Sequence, residues 1–320
     1  MKNILILSVG RRVELVYSFM AEIKARNISC KLLATDFSPD LSAACRIVDI
    51  SIKSPKVTSS EYIDFLLRTC IEENVGLVIP TIDTELLLLS SNRDKFEKLG
   101  IYIAISTNFF ISRCRDKRLT CSLFEELKID TPKIYDRLNI EFPCFAKPYD
   151  GSCSVGALAL LDSSMLTDSI LSDQHMMFME LIDSSFAEYT VDVYFDRNSE
   201  LICLVPRERI EVRAGEVSKG VTRFGPVYDY LLPKLSALKG IRGCITLQLF
   251  FDSKSGRFSA FEVNPRFGGG FPLSYSAGAN YPGWLIDEYL LEKELSFFDS
   301  WERDLLMLRF DAKVLVHDFN

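Results

Sequence analysis

The stretch that most constrains this chain is Phe261-Glu262-Val263-Asn264-Pro265-Arg266, with Gly268-Gly269-Gly270 directly behind it. It follows the apolar run Ile245 to Phe251, and Ser253 to Arg257 reads as the turn between two antiparallel strands. Side chains alternate along a strand, so Glu262 and Asn264 share a face, about 7 Å apart. Gln248 sits in the partner strand among Leu247, Leu249, Phe250 and Phe251, where a lone amide is costly unless something bonds or coordinates it. Three oxygen donors carrying one charge suit magnesium that shares its shell with phosphates. Arg266 follows two residues on, on the same face, within reach of the same phosphate oxygens. An edge hairpin with one solvated polar face has the same pattern, so the rest of the chain decides between the two.

A chain of 320 residues is too long for one ordinary domain, and two or three lobes are expected. Its net charge of -7 argues against nucleic acid or an anionic membrane surface as the main partner, and leaves a nucleotide held by local Lys and Arg open. No run of 18 apolar residues occurs, so no membrane span is expected. Ile4 to Leu7 is too short for a signal-peptide core, and the expected location is the cytoplasm. The nine cysteines are odd in number and form no CxxC pair, which disfavours a disulfide framework or a thiolate metal cluster. With only His175 and His317, a histidine zinc site or Ser-His-Asp triad is poorly supported.

Residues 3–9 read as a buried strand, Gly10 as a turn, Arg11 to Arg26 as an amphipathic helix, and Cys30 to Thr35 as a second strand ending at Asp36. Strand, glycine, helix, strand and acid make half of a doubly wound fold, but Ser8-Val9-Gly10-Arg11-Arg12 is not GxGxxG, so NAD is not expected. Arg11 and Arg12, at a helix start, suit an anionic ligand. A helix over 61–74, the strand Leu77 to Pro80, a helix from Asp83 to about Leu99 and the strand Ile101 to Ile105 complete an open α/β lobe. Its strand-end loops, at Gly10, Asp36 and Thr81 to Glu85, are expected along one sheet edge.

Asp116-Lys117 opens a further helix to Leu127. Cys144 to Pro148 is a strand that carries Lys147, and the small residues of Tyr149 to Gly156, Ser152 and Ser154 among them, form a flap whose amides suit phosphates. An ordinary hairpin loop fits the same residues. Strands are expected at Ala157 to Leu161, Met176 to Ile182, Glu188 to Phe195 and Leu201 to Val205. From Pro206 to Arg213, the arginines 207, 209 and 213 form a basic row suited to a carboxylate, or else a solvated charged strand. Val217 to Thr222 reads as a loop with Lys219 beside Gly220, Pro233 to Lys239 as helix, Ile286 to Leu295 as helix, and Arg309 to Val316 as a last strand.

Taken in order, Lys117, Lys147 with its flap, Glu180, Ile182, Glu188, Gln248 and Glu262-x-Asn264-x-Arg266 resemble the ATP-grasp superfamily, most closely its carbamoyl-phosphate synthase and biotin carboxylase branch. The resemblance implies an ATP-grasp fold of α/β (α+β) lobes. It places an N-terminal Rossmann-like lobe at 1–112, a central lid at 113–178 and a C-terminal subdomain at 179–320. It implies ATP as substrate with Mg2+, or Mn2+ in its place, and no protein nucleophile. Lys117, Lys147, Ser152 and Ser154 would contact the phosphates, Glu180, Leu181 and Ile182 would pair with adenine through the main chain, and Glu188 would take the ribose hydroxyls. Gln248, Glu262 and Asn264 would ligate the metal, and Lys147, Asn264 and Arg266 would serve catalysis. Arg209, Arg213 and Lys219 are assigned to the substrate carboxylate on their charge. Many relatives have a carboxylate where Gln248 stands, which puts a second magnesium in doubt. The expected activity is a carboxylate–amine or carboxylate–ammonia ligase working through an acyl phosphate, with a homodimer as the assembly considered. The alternatives are carboxyphosphate or carbamate phosphorylation of the carbamoyl-phosphate-synthase kind, and an idle ATP-binding sensor or subunit.

Overall fold

The computed structural model describes residues 1–151, 155–213 and 215–319. Strands β1 (Asn3–Ile6), β2 (Leu32–Asp36), β3 (Ile50–Lys53), β4 (Val75–Ile79) and β5 (Tyr102–Ile103) form a parallel sheet in the order β3-β2-β1-β4-β5. The near-continuous apolar sequences of β1 and β4 follow from burial on both faces of a parallel sheet. Helices α1 (Val13–Ala25), α2 (Tyr62–Glu72) and α3 (Asp83–Glu97) make the crossovers. The strand order reverses between β1 and β4, so the loops leaving these two strands flank the crevice where such sheets place functional residues. Gly10 to Arg12 and Thr81 to Asp83 are those loops. The N-terminal end of α3 is held by Glu85: Thr81 N (3.0 Å) and Ile82 N (3.4 Å) both donate to Glu85 Oε1. Asp83 is left to act outside its helix.

Helices α4 (Asn108–Arg115) and α5 (Lys117–Glu126) follow. The Asp116 carboxylate caps α5 by accepting from Arg118 N at 2.9 Å. Strands β6 (Ile134–Tyr135), β7 (Cys144–Pro148), β8 (Leu158–Leu160) and β9 (Met176–Glu180), with the short α6 (Asp168–Ser172) between the last two, form an antiparallel sheet in the order β6-β9-β7-β8. Strands β10 (Ala187–Phe195), β11 (Leu201–Arg213), β12 (Glu216–Thr222), β13 (Gly243–Asp252), β14 (Arg257–Asn264) and β15 (Leu306–Leu308) form the largest sheet, in the order β14-β13-β10-β11-β12-β15. Helices α7 (Pro226–Leu235), α8 (Phe271–Ser276) and α9 (Tyr281–Tyr289) cover it, and α9 also packs against α1 of the first lobe. One apolar core runs from the first lobe into this sheet, with Phe19, Phe124, Tyr194, Phe195 and Phe271 among its large buried side chains.

Four sequence expectations change. Residues 216–222 are strand, not loop, because they pair along the extended β11. The helix expected at 233–239 begins earlier, with Gly225 and Pro226 at its start, and ends at Leu235. The helix expected at 286–295 is α9, capped by Asn280, whose side chain accepts from Gly283 N at 3.0 Å. The last strand is Leu306–Leu308, and no strand forms from 309 to 319.

Candidate functional site

A cavity of about 290 Å³ opens between the four-stranded and six-stranded sheets. Lys117 enters it from α5, Phe145 and Lys147 from β7, Glu180, Leu181 and Ile182 from the end of β9, Glu188 from β10, Phe250 from β13, and Phe261 and Glu262 from β14. Residues from α5 to β14 that sequence order suggested would act together are therefore gathered in one place. Ser152 and Ser154 lie outside the described residues.

The two lysines are the least ordinary groups there. Lys147 is 9% exposed and Lys117 8%, and among the described residues neither forms an ion pair. Lys117 Nζ donates to the carbonyl of Gly151. Lys147 Nζ stands 5.4 Å from the centre of the Phe261 ring. Burial depresses the Lys147 pKa to about 8; the Glu262 carboxylate opposes that fall and Lys117 adds to it. Two buried lysines that form no ion pair are what a polyphosphate would neutralise.

Phe261 reaches the cavity through a β-bulge. Gln248 pairs with Glu262 and Leu249 with Ala260, so Phe261 has no cross-strand partner. Strict alternation puts Phe261 and Glu262 on opposite faces; the extra residue lets both line the cavity. Phe261 stacks on Phe250, their ring centres 4.8 Å apart. Sequence periodicity carries no sign of this irregularity.

The expected metal donors do share one face. Gln248 and Glu262 are directly opposite each other, and Asn264 lies two residues further along β14. With its amide nitrogen donating to Glu262 Oε2 (2.8 Å), Gln248 accepts from Arg209 Nη1 through its oxygen (3.2 Å). Turned the other way, the amide oxygen faces the Glu262 carboxylate, a contact that a cation would relieve. Among the described residues, no group of three or more His, Cys, Asp and Glu side chains is placed to hold a metal. A cation here would therefore rest on one carboxylate and two amide oxygens, and these hard donors fit magnesium that also takes phosphate oxygens. Asn264 lines a second, smaller cavity of about 20 Å³ together with Asp83, Cys114 and Arg115, and Lys117, Gly151 and Glu262 line both cavities.

Arg209 lies behind Glu188, its Nε 3.3 Å from Glu188 Oε1. Burial raises the Glu188 pKa; Arg209 opposes this and the nearby Glu262 adds to it. Arg213 and Lys219 do not join this group. Two register shifts between Arg209 and Val212 break the common face, and Arg213 pairs with Asp311 at the exposed end of the ribbon. Lys219 pairs with Glu211 at 2.7 Å, also in solvent. The third arginine, Arg207, is buried against Asp192. The Glu180 carboxylate is bound to Arg257 Nη1 (2.8 Å) and Nη2 (2.6 Å), and the Glu180 main-chain N–H donates to Lys133 O at 2.8 Å, so neither group is free to meet a ligand.

Arg266 is met from the first lobe. Its Nη2 donates to Asp83 Oδ2 at 2.7 Å, and more weakly to Asn264 Oδ1 at 3.4 Å. Arg12 crosses the same boundary, donating to Phe267 O (3.1 Å) and Thr81 O (2.9 Å). Burial and the neighbouring Arg266 push the Arg12 pKa down to about 10. Arg11 pairs with Glu216, its guanidinium largely in solvent. Neither the Asp83 contact nor the bulge has a local sequence signal; the first depends on how two lobes dock.

Two family models match the chain: "PylC-like, N-terminal domain" over residues 4–104, and "ATP-grasp in the biosynthetic pathway with Ter operon" over residues 172–306. No curated protein matches. Among solved structures, the biotin carboxylase domain of Hydrogenobacter thermophilus 2-oxoglutarate carboxylase, a complex with MgADP, ADP and bicarbonate, superposes with a TM-score of 0.75 at 14% identity. That match covers 95% of this chain and 73% of the other. Staphylococcus aureus N5-carboxyaminoimidazole synthetase gives 0.69 at 14% identity, over 92% and 78% of the two chains. The L-amino acid ligase of Bacillus licheniformis gives 0.66 at 17%, over 91% and 74%. These likenesses establish the fold, and the family models establish the two domain types on it. Among the described residues no helix is long and apolar enough to cross a membrane. The chain thus carries a PylC-like N-terminal domain over residues 4–104 and an ATP-grasp domain over residues 172–306, on an ATP-grasp fold.

Proposed function

We propose that this protein is an ATP- and magnesium-dependent ligase that activates a small-molecule carboxylate as an acyl phosphate and transfers the acyl group to an amine or ammonia. The observation that carries the reading is the pair of buried, unpaired ammonium groups, Lys117 and Lys147, in one cavity with Glu188 and Glu262. The main chain of Glu180 to Ile182 is assigned to adenine, Glu188 to ribose, and the two lysines to the phosphates. Gln248, Glu262 and Asn264 are the residues that would hold magnesium, which supplies further charge neutralisation at the phosphates. A carboxylate oxygen attacks the γ-phosphorus, the bond from that phosphorus to the bridging oxygen breaks, and ADP leaves. The amine nitrogen then attacks the acyl carbon and phosphate departs, the amine proton passing to solvent or phosphate. Lys147 and Arg266 offset charge on the transferring group. Of the three cations assigned to the carboxylate, Arg209 alone is near the cavity and keeps that assignment. The four-stranded sheet is assigned the role of a lid that keeps water from the acyl phosphate.

The test is ADP release from MgATP in the presence of carboxylate and amine pairs, beginning with an equimolar mixture of the twenty amino acids. Hydroxylamine added with the active carboxylate should trap the acyl phosphate as a hydroxamate. Nucleotide binding without carboxylate-stimulated ADP release across the screen would instead mark an idle ATP-binding protein.

A further inference from the structure

A buried ion pair lies beneath the turn that carries Arg266. Asp192 on β10 is fully buried and Arg207 on β11 is 1% exposed. Arg207 Nε donates to Asp192 Oδ2 at 2.8 Å and Nη2 to Oδ1 at 3.1 Å. Asp192 also accepts from Ser274 Oγ of α8 at 2.6 Å, and Tyr281 of α9 donates to its main-chain carbonyl at 2.9 Å. Thr246 Oγ1 lies 3.3 Å from Asp192 Oδ1 and 3.1 Å from the carbonyl of Arg266, with one proton to share between them.

The pair also shapes the glycine run. A Cβ at Gly268 would stand 3.0 Å from Thr246 Oγ1, and a Cβ at Gly270 would stand 2.3 Å from Arg207 Nη1 and 2.6 Å from Val217 Cγ1. A side chain at 270 would therefore displace the buried guanidinium or the turn, and one at 268 would press on Thr246. The network thus supports the turn at Arg266, Gly268 and Gly270. Arg207 is two residues from Arg209 on β11, so the same pair anchors the strand that presents Arg209. Replacing a buried ion pair by apolar groups of like size is often neutral or stabilising, so stability alone is a weak reason to keep one.

We propose that Asp192 and Arg207 are a positioning pair that sets the Arg266 turn against the nucleotide cavity. The consequence for turnover rests on the role given to Arg266 above; the structural consequence does not.

The experiment uses the full chain carrying Asp192→Asn with Arg207→Met, which removes both charges at similar size, and separately Gly270→Ala, whose methyl would stand 2.3 Å from Arg207 Nη1 and so parts the turn from the pair. Hydrogen exchange read by mass spectrometry should quicken by about tenfold in peptides spanning 264–272, with peptides of β7 and β9 unchanged. MgADP affinity should hold within about twofold, while kcat for ADP release with the amino-acid mixture falls by about tenfold or more at an unchanged ATP KM. If the double variant does not fold, Gly270→Ala decides. Wild-type exchange over 264–272 in the folded variants overturns the proposal. Faster exchange there in a protein whose wild type shows no turnover upholds the pair and refutes the ligase reading.

Discussion

Replacing Lys147 by Met tests the electrostatic core of the site. The ordinary lysine pKa is 10.5 and burial brings that of Lys147 to about 8. This fall corresponds to about 3 kcal/mol by which the charged form is disfavoured in the folded protein relative to the unfolded chain. Lys147 is 9% exposed, so solvent screens little of it. Below pH 8 the side chain is charged in both states and the cost is present in full. Between pH 8 and 10.5 the unfolded chain holds more protons than the folded one, so stability rises with pH; above 10.5 the cost is gone. Lys147→Met removes the charge and keeps the stem. It should therefore stabilise the nucleotide-free protein at pH 7, with about 3 kcal/mol as the ceiling, and abolish the rise across that window.

The same group predicts a proton linkage on binding. Near pH 8 about half of the nucleotide-free molecules hold a neutral Lys147. Phosphate brought against it restores the charge, so binding of MgATP should take up about half a proton. Calorimetry at pH 8 in buffers of different ionisation enthalpy measures that uptake, and denaturation of the nucleotide-free protein measures the stability gain. Lys147→Met should show the gain, lose the uptake, and turn over about a hundredfold or more slowly. A destabilised variant would refute the burial cost, and one that takes up as many protons as wild type would refute the assignment of Lys147 to phosphate.

Two further substitutions separate the remaining roles. Glu262→Ala should abolish magnesium-dependent turnover with a small change in unfolding midpoint, because it removes the one carboxylate of the donor set from the rim of a cavity; near wild-type ADP release would count against the metal assignment. Arg209→Ala should raise the KM of the carboxylate by about tenfold or more and leave that of ATP nearly unchanged. Arg213→Ala and Lys219→Ala, whose side chains pair in solvent, should behave as wild type in both constants.

What the sequence made legible was whatever depends on period and order. The parallel lobe followed from apolar runs at β1, β2 and β4. The hairpin carrying Gln248, Glu262 and Asn264 followed from alternation, as did their common face. What it hid lay in departures from period. The bulge at Phe261 and the shifts between Arg209 and Val212 each insert residues that period two cannot anticipate. The first brings an aromatic ring to Lys147 and the second sends Arg213 into solvent, so one kind of irregularity both adds to the site and subtracts from it. The end of the chain was misread for another reason. Its alternating apolar residues suit a strand, but β15 occupies the sheet edge over 306–308, the pairing ends where Arg309 N donates to Ser218 O at 2.9 Å, and no strand continues beyond it among the described residues.

The contacts between lobes bear on what the N-terminal lobe is for. A parallel sheet places its crevice where strand order reverses, here between β1 and β4, and the loops at that point supply Arg12 and Asp83. Both side chains reach past their own lobe: Asp83 takes the guanidinium of Arg266, and Arg12 takes the carbonyl of the next residue. From the other side, Thr246 takes the carbonyl of Arg266 itself, and Arg309 donates to Gly269 O at 2.8 Å. The turn from 265 to 270 is thus held by the first lobe, by the large sheet and by the C-terminal segment together. A guanidinium meant to meet charge that appears only during a reaction must be held before that charge arrives, since reorganising it afterwards would add to the barrier. On the proposed reading the first lobe, beyond scaffolding the fold, fixes Arg266, which stands outside the cavity lined by Lys117 and Lys147.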